Sequence, residues 1–92
     1  MQRGLSIAGN TVRLYDTDVL KIEGDCFILN HGGYITASTA KAINTGFKFI
    51  GSDLKVVRRS GIMYLVSPRQ CEGIGNNMIA LESGPNKFRK GI

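Results

Sequence analysis

The chain has 92 residues, of which 42% are hydrophobic and 21% are charged, and its formal net charge is +5. This length predicts one domain, and the charged fraction is too low for a disordered chain. No apolar run approaches the ~18 residues of a membrane span, so the sequence predicts no membrane association.

The charge is unevenly distributed along the chain. Residues 1–40 contain three Lys or Arg and four Asp or Glu, whereas residues 41–92 contain nine and three, so the two parts carry −1 and +6. A basic half favours an anionic partner such as a nucleotide, nucleic acid or an acidic protein surface. The alternative is that a small soluble protein simply needs a net charge away from zero.

Short strands are predicted in the first third of the chain. Turn signals such as Gly9-Asn10 and Gly24-Asp25 recur about every ten residues, which is the rhythm of a β-meander. The apolar or alternating segments between them predict strands at 5–7, 11–15, 19–22 and 26–29.

The segment 36–46 predicts the one helix, which follows a glycine turn at Gly32 and Gly33. Thr36 or Ser38 can cap it, because a side-chain oxygen accepts a hydrogen bond from an otherwise unpaired amide of the first turn. Gly46 is expected to end the helix in a left-handed conformation. The apolar residues at helical spacing, expected to face the sheet, are Ala37, Ala40, Ile43 and Phe47.

The remainder of the chain predicts strands again, at 47–50, 54–57, 62–66 and 78–81. Arg58 to Gly61 is expected to form a tight hairpin turn. We therefore expect a single α+β domain over residues 1–84, with a mainly antiparallel twisted sheet of five or six strands and one short helix packed on it. Residues 85–92 are expected to form a basic flexible tail.

The junction between the glycines and the helix is the candidate binding site. Glycines let the backbone approach a ligand closely, and a helix N-terminus offers unpaired amides and a positive dipole end to an anion. The alternative is that the glycines only make the turn and the hydroxyls only cap the helix. The predicted ligand-binding residues are Gly32, Gly33, Tyr34, Thr36, Ser38, Thr39, Lys41, Arg58 and Arg59.

Several of these residues have a second interpretation. Arg58 and Arg59, if both lie on the hairpin turn, can reach phosphates or an acidic protein surface, and the alternative is a solvated tip. Tyr34 can stack on a base or form part of the core. His31, the only histidine, is expected to be a loop residue without a chemical role, and the alternative is a general base or a pH-sensitive contact.

The spacing of the site residues resembles that of a known group of proteins. Gly32-Gly33-Tyr34-x-Thr36-x-Ser38-Thr39, followed by Ile43-Asn44, is similar to a Gly-Gly-aromatic-x-Thr-x-Thr-Thr-Lys-x-x-Met/Ile-Asn signature. That signature belongs to small uncharacterised proteins of tailed bacteriophages. The chain departs from it at Ala40, which stands at the usual lysine position, with Lys41 one place later. The resemblance implies a phage origin and carries over no activity. Small phage proteins of this size often block or sequester a host component, and we take that class as the expectation.

The isolated cysteines, Cys26 and Cys71, match neither a zinc pattern nor a disulfide framework. We expect both to be reduced thiols in a cytoplasmic protein, in the host cytoplasm if the protein is phage-encoded, with one disulfide as the alternative. No catalytic residue, metal ion or cofactor is expected. The carboxylates at 16–25 lie in turns without the spacing of a calcium loop.

These observations lead to one functional hypothesis with alternatives. We expect a non-enzymatic protein that sequesters an anionic ligand, such as a nucleotide-like host immune signal, and so counters host defence. The alternatives are an inhibitor that binds a host protein through its basic face and a small nucleic-acid-binding protein. Because a small protein with open sheet edges invites pairing between copies, a homo-oligomer is also expected.

Overall fold

The computed structural model of the chain describes residues 2–66 and 78–89. Within these ranges the chain forms eight strands and one helix. In chain order they are β1 (Leu5–Ala8), β2 (Thr11–Leu14), β3 (Thr17–Glu23), β4 (Cys26–Leu29), α1 (Ala37–Phe49), β5 (Lys55–Arg59), β6 (Ile62–Val66), β7 (Met78–Ala80) and β8 (Asn86–Arg89).

The strands form two antiparallel sheets. One has the order β1-β2-β3-β4-β8 and the other the order β5-β6-β7. Helix α1 packs against β2 and β3 of the larger sheet and against β5 of the smaller one. The α+β fold class is confirmed, with the strands divided between two sheets that the helix joins.

A β-bulge in β3 shapes the region beneath the helix. Val12 pairs with Leu20 and Arg13 with Asp18, so Val19 is an extra residue in the ladder. The bulge lets Val19 and Leu20, although adjacent in sequence, both be buried. The carbonyl of Val19 accepts a hydrogen bond from the amide of Asn30 at 3.1 Å, which ties the loop before α1 to the bulge.

The core lies between the larger sheet and the inner face of α1. The rings of Phe27 and Phe47 meet edge to face, with their centroids 5.7 Å apart, and the rings of Phe27 and Phe88 are 5.5 Å apart. Fourteen buried apolar residues form one cluster: Leu5, Val12, Leu14, Val19, Leu20, Phe27, Leu29, Ala42, Ile43, Phe47, Val56, Met63, Leu65 and Leu81.

Gly46 lies inside the helix, so the prediction that it ends α1 is wrong. It is buried against β2 and β3, where an added Cβ would lie 2.8 Å from Val12 Cγ2 and 2.9 Å from Leu20 Cδ2. The glycine is therefore needed for close approach of helix and sheet. The left-handed residue is Gly51, with φ of 76°, one position after the C-cap Ile50.

Helix α1 ends three residues later than predicted, and two further predictions about it are wrong. Phe47 to Phe49 complete α1 and do not begin a strand, so Phe47 contributes its ring to the core from the helix. Ala37, expected to face the sheet, is exposed in the first turn, and Ala42 is buried on the inner face instead.

The segment expected to be a flexible tail contains a strand. Residues Asn86–Arg89 form β8, which pairs with β4 so that Phe88 lies opposite Phe27. The side chain of Asn86 fixes the preceding turn, since its Oδ1 accepts from the Glu82 amide at 3.0 Å. The tail prediction is therefore wrong for these residues, because burial of Phe88 against Phe27 outweighs the basic composition.

The free thiol of Cys26 is half-buried on β4, and Cys71 lies outside the described residues. In the parts of the chain that the structure describes, no helix has the length and apolar character needed to cross a membrane.

Replacing Gly46 with Ala tests the close contact between helix and sheet. The gain in helix propensity is about 1 kcal/mol, but the crowding against Val12 and Leu20 costs about 1–3 kcal/mol, so we expect a net loss of stability. Urea denaturation of Gly46→Ala, Val12→Ala and the double variant measures this. Val12→Ala should lower the free energy of unfolding by less in the Gly46→Ala protein than in the unmodified protein. If the losses from the two single variants simply add in the double variant, the contact is contradicted.

Candidate functional site

The loop between β4 and α1 is a tight turn built on the two glycines. Gly32 and Gly33 have φ of 61° and 85°, and the carbonyl of His31 accepts from the Tyr34 amide at 2.8 Å. A turn with positive φ at both central positions suits glycine, which carries no Cβ penalty there. The predicted glycine turn is thus present, immediately before the helix.

The glycine amides, however, are occupied by the protein's own acceptors. The Gly32 amide donates to Asn30 Oδ1 at 2.8 Å, and the Gly33 amide donates to Nδ1 of His31 at 3.0 Å. With the Tyr34 amide also bonded, three successive donors are satisfied inside the loop. The amides of Gly32 and Gly33 are therefore not free donors, and the predicted part of these two residues in ligand binding stays a prediction.

The first turn of α1 is capped by Thr36, as expected. Its Oγ1 accepts from the Thr39 amide at 3.2 Å and lies 3.1 Å from the Thr39 hydroxyl. The amides of Ala37 and Ser38 have no acceptor among residues 2–66 and 78–89. These two amides remain available to a ligand at the positive end of the helix dipole.

A cavity of about 370 Å³ opens beside this first turn. Its walls come from three places: the end of β2 with the β2–β3 turn, the loop before α1, and the first residues of the helix. The lining residues are Leu14, Tyr15, Asp16, Thr17, Val19, His31, Tyr34, Thr36, Ser38 and Thr39. Four of the predicted site residues, at 34, 36, 38 and 39, are thus brought together here.

His31 forms a buried wall of this cavity, and its ring is only 2% exposed. Because Nδ1 accepts the Gly33 amide, the neutral ring carries its proton on Nε2. That nitrogen is buried and has no hydrogen-bond partner among the described residues. His31 is therefore a buried residue whose Nε2 donor is unsatisfied, and its expected lack of a chemical role stays a prediction.

Two exposed aromatic rings border the cavity. Tyr15 is 61% exposed and Tyr34 is 63% exposed. Tyr15 has a φ of 54°, which is unusual for a side chain of this size and costs about 1–3 kcal/mol. Its ring covers Gly4, where an added Cβ would clash with Tyr15 Cε1. Tyr15 thus combines an exposed aromatic ring with an unfavourable backbone conformation.

The charge in the cavity is negative and comes from Asp16. Its neighbour Asp18 is paired with Arg13 at 2.8 Å, and this hydrogen bond and attraction raise the pKa of the arginine above its ordinary value. Asp16 makes no ion pair among residues 2–66 and 78–89. Among residues 2–66 and 78–89, no Lys or Arg lines the cavity. The cavity therefore suits a ligand with a hydrogen-bond donor for Asp16.

The predicted cationic residues lie elsewhere. Lys41 and Arg58 line a separate groove along α1, whereas Arg59 follows Arg58 on β5 and points to the other side of the strand. Both arginines belong to the strand, and the turn is made by Ser60 and Gly61, with φ of 53° and 76°. The single anion site predicted from sequence is thus divided between two surfaces.

Sequence reasoning missed several residues of the cavity wall: Leu14, Tyr15, Asp16, Thr17 and Val19. The turn at Asp16-Thr17 gave no sign that it meets a helix twenty residues later, since that meeting depends on how β2 and β3 pack under α1. In the described part of the chain, no three His, Cys, Asp or Glu residues cluster as metal ligands would.

No known protein family, curated protein or solved structure matches this chain.

The loop geometry is tested by a matched pair of alanine variants. Gly33→Ala should cost about 1–2 kcal/mol, because its φ is positive but the space around it is open. Gly32→Ala should cost more, since its Cβ would also lie 3.2 Å from Thr17 Cγ2. Urea denaturation of both variants measures the difference. Equal costs would contradict the contact between the loop and Thr17.

Proposed function

We propose that the protein is a non-enzymatic binding protein that holds a small nucleotide-like molecule in the cavity beside the N-terminus of α1. The buried, unpartnered Nε2 of His31 is the observation that carries this proposal. A buried donor without a partner costs about 1–3 kcal/mol, and an acceptor on a ligand that reaches Nε2 by displacing the cavity wall removes that cost. The ligand is bound and sequestered, and no bond is made or broken.

The shape and walls of the cavity favour a flat ring. The rings of Tyr15 and Tyr34 flank the opening, and Leu14 and Val19 supply apolar surface within it. Stacking of a base on an aromatic ring contributes about 1–3 kcal/mol. A volume of about 370 Å³ is at the lower end of the range for small-molecule sites, which suits one nucleoside-sized ligand.

The hydrogen-bonding groups favour a nucleobase among flat rings. Nε2 of His31 can only donate, the carboxylate of Asp16 can only accept, and the hydroxyls of Thr17 and Thr39 can do either. A nucleobase presents both acceptors and N–H donors along one edge, so it can satisfy His31 and Asp16 together.

The sequence analysis expects an anionic ligand, and in this proposal the negative charge of the ligand is on its phosphate. Because Asp16 repels an anion inside the cavity, the phosphate would lie outside it, at the free amides of Ala37 and Ser38. The further idea that sequestration counters a host defence rests on the resemblance to phage proteins and is part of the proposal.

Thermal unfolding with a panel of nucleosides and nucleoside monophosphates tests this function. One base class should stabilise the protein, by about 2.7 kcal/mol at a concentration of 100 times Kd, and the monophosphate should bind more tightly than its nucleoside. Asp16→Asn should weaken binding about 10- to 100-fold, because a charged acceptor is lost. The matched control is Asp25→Asn, which removes an exposed carboxylate from the β3–β4 turn and should leave binding unchanged.

Two results would refute the proposal. One is that no member of the panel raises the unfolding temperature of the unmodified protein. The other is that Asp16→Asn and Tyr34→Ala, both at exposed positions, bind the best ligand as tightly as Asp25→Asn does.

A further inference from the structure

A second concave surface, here called the basic groove, runs along the outer side of α1 facing β5. Its volume is about 470 Å³. The residues that line it are Ala37, Ala40, Lys41, Asn44, Thr45, Lys48 and Arg58. It shares no lining residue with the cavity beside His31.

The groove is held rigid at its centre by Asn44. The side chain of Asn44 donates to the carbonyl of Val56 at 3.1 Å and accepts from the Val56 amide at 2.7 Å. This paired contact joins α1 to the neighbouring strand. Arg58 is two residues beyond Val56 on β5 and therefore lies on the same face of the strand, toward the helix. The spacing between the helix cations and Arg58 is thus set by the fold.

The positive charge of the groove has no counter-charge in the described ranges. None of Lys41, Lys48 and Arg58 makes an ion pair with residues 2–66 or 78–89, where the ion pairs are Arg13–Asp18 and Lys21–Glu23 on the larger sheet. In the part of the chain that the structure describes, no Asp or Glu lines the groove. Three like charges in one concave surface repel one another, and a bound polyanion relieves that repulsion.

The spacing of these charges suits a chain of phosphates. Lys41 and Lys48 are seven residues apart on the helix, so their Cα atoms are separated by about 10.5 Å. Side chains extended from these positions can contact successive phosphates of an extended strand. The small side chains of Ala37 and Ala40 leave the floor of the groove open to a strand.

An exposed aromatic ring distinguishes nucleic acid from an acidic peptide. Phe49 follows Lys48 directly at the end of α1, outside the residues that line the groove, and is 65% exposed. A cationic track with an exposed aromatic ring is the arrangement that single strands use, because phosphates pair with the cations and an unstacked base lies on the ring. An acidic peptide gains little from such a ring.

We propose that the basic groove binds the backbone of single-stranded nucleic acid without sequence preference, through Lys41, Lys48 and Arg58, with one base stacked on Phe49. This proposal does not rest on the nucleotide site, although Ala37, whose amide is assigned there to the phosphate, also lines the groove.

Fluorescence anisotropy with a labelled 12-nucleotide oligothymidylate, measured over a range of salt concentrations, tests the proposal. Three phosphate contacts predict a slope of log K against log salt of about −2, at ~0.7 per contact for single strands. Lys41→Ala/Lys48→Ala should reduce the slope to about −0.7. The matched control, Lys87→Ala/Arg89→Ala, removes the same charge from exposed positions on β8 and should leave the slope near −2.

A further variant separates stacking from charge. Phe49→Ala should weaken binding about 5- to 100-fold with the slope unchanged, since it removes a stacking surface and no cation. Equal losses in the two charge variants would mean that net charge alone attracts the oligonucleotide and would overturn the proposal. Tighter binding of a labelled poly-glutamate peptide than of the oligonucleotide would overturn it in favour of a protein partner.

Discussion

The close packing of α1 on the larger sheet is the constraint on which the other features depend. Gly46 allows it, because the side chains of Val12 and Leu20 occupy the space that a Cβ would need. Once the helix is fixed at this point, its N-terminus lies beside the β2–β3 turn and its outer side faces β5. The cavity and the basic groove are therefore both consequences of one helix position.

The two surfaces differ because they use different parts of the helix. The cavity lies at the end of the helix, where a buried ring and open amides provide fixed, directional donors. The groove lies along its exposed side, where long cationic chains act through charge in a solvated setting. Directional groups in a partly buried site discriminate between ligands, whereas exposed cations attract any polyanion and depend on salt. The two sites therefore call for ligands of different chemistry.

Local patterns predicted much of the fold. The strands before the helix, the glycine turn and the Thr36 cap follow from alternation, turn residues and capping, which act over a few residues. The prediction failed where distant contacts decide the outcome. Gly46 looks like a helix terminator unless its contact with β2 is known, and Phe88 looks like part of a loose basic tail unless its partner Phe27 is known.

The candidate site was predicted in part, for a similar reason. Residues 34, 36, 38 and 39 do line one cavity, but the lysine and arginines expected beside them do not. The sequence also did not show that the amides of Gly32 and Gly33 are bonded to the side chains of Asn30 and His31, because it does not give the orientation of those side chains. The interpretation of His31 changes most. The sequence analysis expects a loop residue without a chemical role, whereas the proposed site has its buried donor at the centre.

The fixed state of His31 is the central claim, and the ring nitrogens report on it directly. Because the chain has one histidine, a long-range ¹H–¹⁵N correlation spectrum contains a single imidazole. At mildly alkaline pH the account predicts one neutral tautomer with the proton on Nε2, since Nδ1 accepts the Gly33 amide, and a shift of Nε2 when a nucleotide binds. A ring protonated on Nδ1, or one averaging between tautomers as in free solvent, would contradict the account.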